Sequence, residues 1–296
     1  MRRWYVIAVP YLWLAIFFLV PFFIVLKISL SDVATAMPPY VPNFDIAGGI
    51  AGFKDFFNKL DWENYSFIFS DELYYSAYWS SLKIAAIATF MTLLVAYPIA
   101  YGMARAPKEW QATLMMLVIL PFWTSFLIRV YAWIGILKNE GLLNLFLTST
   151  GIITEPLSIM NSLTAVYIGI VYSYLPFMIL PLYASLEKIN PALLEAAGDL
   201  GCPPWKAFWQ VTFPLSLPGV VAGCLLVFIP VTGEFVIPDL LGGSDTLMIG
   251  KTLWSEFFNN RDWPVASSVA VVLLLVLVVP IVLFQRMQEQ QQEAGR

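Results

Sequence analysis

Two carboxylates, Glu234 and Asp239, stand five residues apart at the end of a long apolar run, with Pro238 between them and Gly233, Gly242 and Gly243 close by. A carboxylate at membrane depth is costly to bury and faces a protein interior or a cavity, where it attracts a cation. On a continuous helix that spacing rotates the pair about 140° apart. The proline and the glycines allow an unwound segment that turns both groups to one path. Solvated loop ends are the plainer reading of the same two residues. Arg129, inside another apolar run, is a candidate ion-pair partner for either carboxylate, or a side chain that snorkels to headgroups. Trp123, Tyr131, Trp133, Tyr172 and Tyr174 lie in the apolar runs as well. Their rings offer cation–π faces, or only lipid packing and interface anchoring.

Other chemistry is excluded by what the chain lacks. No histidine occurs among its 296 residues. That removes Ser-His-Asp and Cys-His nucleophile pairs, His-ligated zinc and His proton relays. Cys202 and Cys224 form no CxxC pair, and no spacing suggests a metal site. Gly250-Lys251-Thr252 looks like the end of a P-loop, but the position where that loop needs its earlier glycine is Asp245. The chain is therefore expected to hold no cofactor, no metal and no catalytic site. Its basic residues form no cluster, so nucleic acid has no electrostatic footprint.

The elements that must position these groups are membrane spans. The chain is 59% hydrophobic, 16% aromatic and only 12% charged, where a soluble domain has about 25% charged residues. Mean hydropathy is +0.75. A crossing takes about 20 apolar residues. Runs of that kind predict an all-α integral membrane protein with six transmembrane helices, at 5–28, 82–103, 111–137, 158–186, 213–238 and 265–285, in one domain over 1–296. The first run follows Arg2 and Arg3, and Ala34-Thr35-Ala36 mimics a signal cleavage site. A signal core is only about 7–15 residues long, so this run is expected to be a retained helix. Pro98, Pro121, Pro176, Pro181 and Pro230 fall inside spans, where packing kinks are the ordinary consequence. No tandem repeat is present, so a pore of twice this size requires a second chain.

An even number of spans puts both termini on one side, and the positive-inside rule puts that side in the cytoplasm. Inner segments then hold Arg2, Arg3, Arg105, Lys108, Lys188, Lys206, Arg286 and Arg296, while outer ones hold Lys54, Lys59, Lys138, Lys251 and Arg261. Most acidic residues fall outside. They read either as a solvated surface or as a field that draws cations inward.

The loop at 190–212 is the most informative inner segment. Asn190 is a good helix cap and Pro191 a good first helical residue. Alanine, leucine and glutamate follow, all strong helix formers. Gly201 suits a left-handed stop, and Pro203-Pro204 can start a second short helix carrying Trp205, Phe208 and Trp209. Leu193, Leu194, Ala197 and Leu200 face water on this loop, which predicts either a docking surface or an amphipathic helix lying on the bilayer. Glu195-Ala196-Ala197, three residues, Gly201, nine residues, then Val211-Thr212-Phe213-Pro214 resembles the EAA loop of bacterial ABC importer permeases. Val and Phe stand where that family's pattern has Ile and Leu. In the family this loop is the coupling helix, which enters a cleft on a cytoplasmic ATPase. The resemblance carries that role onto Glu195, Ala196, Ala197 and Gly201.

The resemblance extends over nearly the whole chain. Leu120-Pro-Phe-Trp-Thr-Ser-Phe-Leu-Ile-Arg129-Val-Tyr-Ala-Trp133, Gly233-Glu234-Phe-Val-Ile-Pro238-Asp239-Leu-Leu-Gly242-Gly243 and Phe257-Phe-Asn-Asn-Arg261-Asp-Trp-Pro264 are similar to the polyamine branch of that family, and most of all to putrescine importer permeases. The resemblance implies the type I importer (MetI-like) fold in a bacterial inner membrane, with both termini cytoplasmic. It also implies a second homologous permease, two copies of a cytoplasmic ATPase that uses ATP and Mg, and a periplasmic polyamine-binding protein. A polyamine carries separated ammonium groups on methylene chains, so its path would offer carboxylates and ring faces. Glu234, Asp239, Trp123, Tyr131, Tyr172 and Tyr174 are the candidates. The alternatives are a permease for spermidine or another small solute, and a secondary transporter. The latter would need coupling carboxylates in mid-span, which this chain lacks. A membrane-embedded enzyme would need a catalytic cluster, which is also missing.

Overall fold

The computed structural model describes residues 2–42 and 58–294. Lys54 and Arg296, assigned above to an outer and an inner segment, lie outside the described residues. The chain divides into two compact units, Met1–Tyr78 with Ile249–Val278, and Trp79–Met248 with Val279–Arg296.

In the first unit, α1 (Arg2–Leu14) and α2 (Val20–Ser29) are joined by a π-helical turn at Ala15–Leu19. Together they include an apolar stretch of 23 residues, Ile7–Ser29. The last carbonyls of α2 would be orphaned without partners. Asn64 Nδ2 donates to Ser29 O at 3.1 Å and Ser31 O at 2.8 Å, and Ser268 Oγ donates to Ser29 O at 2.9 Å. Strands β1 (Asp32–Val33) and β2 (Tyr40–Val41) pair antiparallel, with Asp32 opposite Val41. Helix α3 covers Glu63–Ser70 and α4 starts at Glu72 and runs to Arg105. Near the other end of the chain lie α13 (Ile249–Trp254), a π-helical turn at Ser255–Asn260 and α14 (Trp263–Ala294).

The second unit holds α5 (Lys108–Ile119), α6 (Phe126–Leu137), α7 (Leu142–Ser149), α8 (Leu163–Leu186), α9 (Ala192–Asp199), α10 (Pro204–Ala207), α11 (Phe213–Thr232) and α12 (Val236–Leu240). Its centre is the pair α8 and α11. Gly219 and Gly223 let their backbones approach, as small residues do in membrane helix pairs. A methyl group at Gly219 would lie 2.6 Å from the Pro181 carbonyl oxygen, and one at Gly223 would lie 2.7 Å from Met178 Sδ. Val166, Ile170, Met178, Ile179 and Leu182 of α8 are fully buried here, with Val227 and Val231 of α11.

Among the described residues, five helices are long and apolar enough to cross a membrane, and a sixth counts if one bent pair is a single span. That pair covers the span expected at 111–137. Lys108–Trp123 and Phe126–Ser149 meet at 90°. Pro121 sits in a tight 3-10 turn, Leu120–Trp123, and Thr124 and Ser125 are extended, so the helical hydrogen bonding stops there. Hydropathy is indifferent to direction and cannot register such a corner. The run expected at 213–238 is also divided. Helix α11 ends at Thr232, and the chain is non-helical at Gly233–Phe235 before α12. The unwound segment thus lies before Pro238, which is inside α12.

Candidate functional site

Glu234 sits in the break between α11 and α12, and is 7% exposed. Its Oε1 accepts from the backbone N–H groups of Phe235 (3.2 Å), Val236 (3.0 Å) and Ile237 (3.4 Å). These N–H groups stand at the start of α12, where a carboxylate also meets the positive end of the helix dipole. Its Oε2 accepts from the Tyr174 hydroxyl on α8. The carboxylate is therefore held by four hydrogen bonds, all from neutral donors.

A cavity of about 780 Å³ opens beside this carboxylate, lined also by Tyr174, Arg129 and Ser173. Phe122, Phe126 and Phe177 supply aromatic walls. Phe122 meets Phe177 edge-on at 5.1 Å. The 90° corner places Phe122 before the bend and Phe126 and Arg129 after it, on a single cavity wall. Arg129 does not pair with Glu234. Its guanidinium lies over the rings of Phe122 (5.4 Å) and Phe126 (5.7 Å), and its Nε and Nη1 have no hydrogen-bond partner. Of the two readings of Arg129, an ion pair with a carboxylate or a side chain snorkelling to headgroups, the pair with Glu234 is not formed: cation–π contacts hold Arg129 and a tyrosine hydrogen bond holds Glu234.

The remaining candidates lie elsewhere. Trp123 is 72% exposed and Tyr131 is exposed too. Tyr131 is two residues beyond Arg129, which on a helix points it away. Tyr172 packs edge-on against Trp133 at 5.3 Å and is two residues from Tyr174, again on another face. Asp239 is exposed on α12 and does not line the cavity. The structure adds Phe122, Phe126, Phe177 and Ser173. Helical spacing links Phe126 with Arg129 and Tyr174 with Phe177, three residues apart in each pair, but Phe122 lies across the corner and no periodicity marks it.

At the loop, α9 ends in a hydrogen-bonded stop. Gly201 has φ +75°. Its N–H donates to Gly198 O at 2.8 Å, and the N–H of Cys202 to Ala197 O at 2.9 Å, the two bonds of a Schellman cap. At the other end Asn190 Oδ1 accepts from Ala192 N at 3.1 Å. Glu195, Ala196 and Gly201 are exposed and Ala197 is half-buried. Leu193, Leu200, Trp205 and Trp209 are exposed too, with Leu200 at 88%. The loop is anchored from behind. Phe208 meets Tyr97 (5.5 Å) and Tyr101 (6.2 Å) of α4 edge-on, and the Tyr97 hydroxyl bonds Ser216 Oγ at 2.8 Å.

One acidic group was not foreseen. Asp32, Asp61 and Glu63 bring carboxylate oxygens within 4.8 Å of one another. Asp61 Oδ1 accepts from the Glu63 N–H at 2.9 Å, which accounts for its place as a turn residue.

Comparison with known proteins places these features. The family described as a binding-protein-dependent transport system inner membrane component matches residues 96–292. A spermidine/putrescine transport system permease protein, PotB, of Haemophilus influenzae is 40% identical over 280 residues, covering 95% of this chain and 92% of the relative. PotB of Escherichia coli is 42% identical over 216 residues, 73% of this chain and 78% of the relative. Among solved structures, a bacterial ABC transporter involved in import of the acidic polysaccharide alginate aligns with a TM-score of 0.70 at 16% identity, over 98% of this chain and 96% of that one. The MetNI methionine ABC transporter aligns with a TM-score of 0.53 at 18% identity, over 73% and 94%.

Proposed function

The chain belongs to the family of binding-protein-dependent transport system inner membrane components, in the polyamine branch of the ABC importer permeases, and on that premise we propose that it carries putrescine, with spermidine as the related cargo, into the cytoplasm. The observation that carries this reading is the Glu234 carboxylate, fixed in an aromatic-walled cavity of the second unit. An ammonium group is recognised by such a carboxylate and by ring faces. A path must bind an ion well enough to admit it and weakly enough to release it. High affinity then belongs to a separate periplasmic binding protein.

In this reading the chain is a transport subunit and not an enzyme. A second homologous permease completes the pore. Two copies of a cytoplasmic ATPase supply the energy through ATP and Mg, and the loop at Glu195–Gly201 docks on one of them. The exposed Leu193, Leu200 and Trp205 favour that docking, because apolar side chains on a water-facing loop are stabilised by a partner surface. Both termini then face the cytoplasm. Asp239, exposed beyond the cavity, is proposed as a guide at the mouth. Trp123, Tyr131 and Tyr172 do not line the cavity, so any part they play in the path lies outside it.

The test is uptake by the complex reconstituted in proteoliposomes, with ATP inside and the binding protein outside. ATP-dependent accumulation of putrescine, competed by spermidine, is expected. Uptake without ATP would make the protein a secondary transporter, and uptake of neither amine would remove the polyamine assignment.

A further inference from the structure

Arg129 brings a positive charge into the cavity that a cationic cargo is to use. It is 9% exposed, its Nε and Nη1 make no hydrogen bond, and no ion pair ties it to Glu234. Among the described residues, only the rings of Phe122 and Phe126 hold the guanidinium. Such contacts are weak beside charge-assisted hydrogen bonds. Ser173 Oγ lines the same cavity, is buried, and also lacks a partner. It is an oxygen acceptor without a donor.

A carboxylate, a free hydroxyl oxygen and aromatic faces are together what a primary ammonium needs, since it has three N–H donors, one charge and no acceptor. An anion in this cavity would meet Glu234. We propose that the guanidinium of Arg129 is a tethered stand-in for the cargo's ammonium group. It rests on Phe122 and Phe126, and an arriving ammonium that binds Glu234 and Ser173 takes those ring faces in its place. This rests on the polyamine reading above and adds the residue that keeps the site weak. A lone carboxylate in a low-dielectric cavity holds a diamine too strongly for release. A resident cation lowers that field, and its return to the rings helps expel the cargo. Arg129 is thus a specificity and release residue.

The test uses the complete transport complex in lipid nanodiscs, without its binding protein, and radiolabelled putrescine and n-butylamine as probes. Arg129→Gln is expected to bind both amines at least about tenfold more tightly than the wild type. Adding Ser173→Ala or Phe126→Leu should return most of that gain, and Arg129→Lys should stay close to the wild type. With the binding protein supplied, Arg129→Gln should lower both KM and the maximal rate of uptake, a split that a merely structural role would not produce. Unchanged amine affinity in an Arg129→Gln complex of normal yield overturns the proposal. Should that variant not assemble, Arg129→Met replaces it; if neither assembles, Arg129 is a structural ion and the proposal is overturned as well. Failure of the polyamine reading shows separately, as a wild-type complex that takes up neither putrescine nor spermidine, while butylamine binding still decides the role of Arg129.

Discussion

The hydroxyl of Tyr174 donates to one oxygen of Glu234, joining residues 60 positions apart, while the other oxygen caps the helix that begins at Val236. One carboxylate therefore links α8, the end of α11 and the start of α12. Its charge and its hydrogen-bonding capacity are separable, and substitutions can remove one without the other.

Glu234→Gln keeps a carbonyl oxygen for the cap and loses the charge. Complex yield should remain near wild type while polyamine uptake falls by about tenfold, equivalent to about 1.4 kcal/mol. Glu234→Ala also removes the cap, which costs about 1 kcal/mol, so its yield should fall too. Because no ion pair joins Glu234 to Arg129, adding Arg129→Gln should not restore that yield. Yield and uptake measured on the same preparations check this, and unchanged uptake in Glu234→Gln removes the residue from the mechanism.

Tyr174→Phe leaves a buried carboxylate oxygen without its donor, at a cost of about 1–3 kcal/mol. The melting temperature of the purified complex should drop, and uptake should fall less than in Glu234→Gln, because the charge remains. A melting curve identical to the wild type would show that the hydrogen bond contributes nothing to stability.

Gly201→Val tests the loop. Nothing lies within 4 Å of a methyl group placed there, so the strain comes only from φ +75°. A branched residue in that region costs about 1–3 kcal/mol. The variant should reach the membrane in normal amount and lose ATP-driven uptake. Gly201→Asn, which tolerates the left-handed region, should retain much of it. Full uptake by the valine variant would contradict a coupling role for this turn.

Orientation is tested by single cysteines at Lys108, Lys206 and Asp245 in a background without Cys202 and Cys224. The first two should react with a membrane-impermeant thiol reagent only from the cytoplasm, and the third only from outside. Labelling of position 206 from outside alone would reverse the proposed topology.

The loop was legible because its information is local. A proline start, strong helix formers and a glycine at the stop act within a few residues of one another, so their spacing reads directly as helix, turn and helix. The apolar runs were legible for a similar reason, since lipid crossing depends on length and composition alone. Which ring faces which partner was not legible. A membrane helix is apolar on every side, so no polar face marks its orientation. Nothing in the sequence therefore separates Trp123 and Tyr131 from Phe122 and Phe126.

By itself, then, the sequence determined an all-α membrane protein, the helix, turn and helix at 190–212 and the rarity of charge in its spans, because these follow from hydropathy and local backbone preference. Tertiary structure alone decided the rest. It turned the chain by 90° after Trp123 and so set Phe126 and Arg129 on the same cavity wall as Phe122. It gave Glu234 to Tyr174 and to the start of α12, leaving Arg129 to the aromatic rings. The reason is distance along the chain. Partners 60 residues apart meet only after the glycines of α11 have let it close on α8, and no local pattern in either segment specifies that meeting.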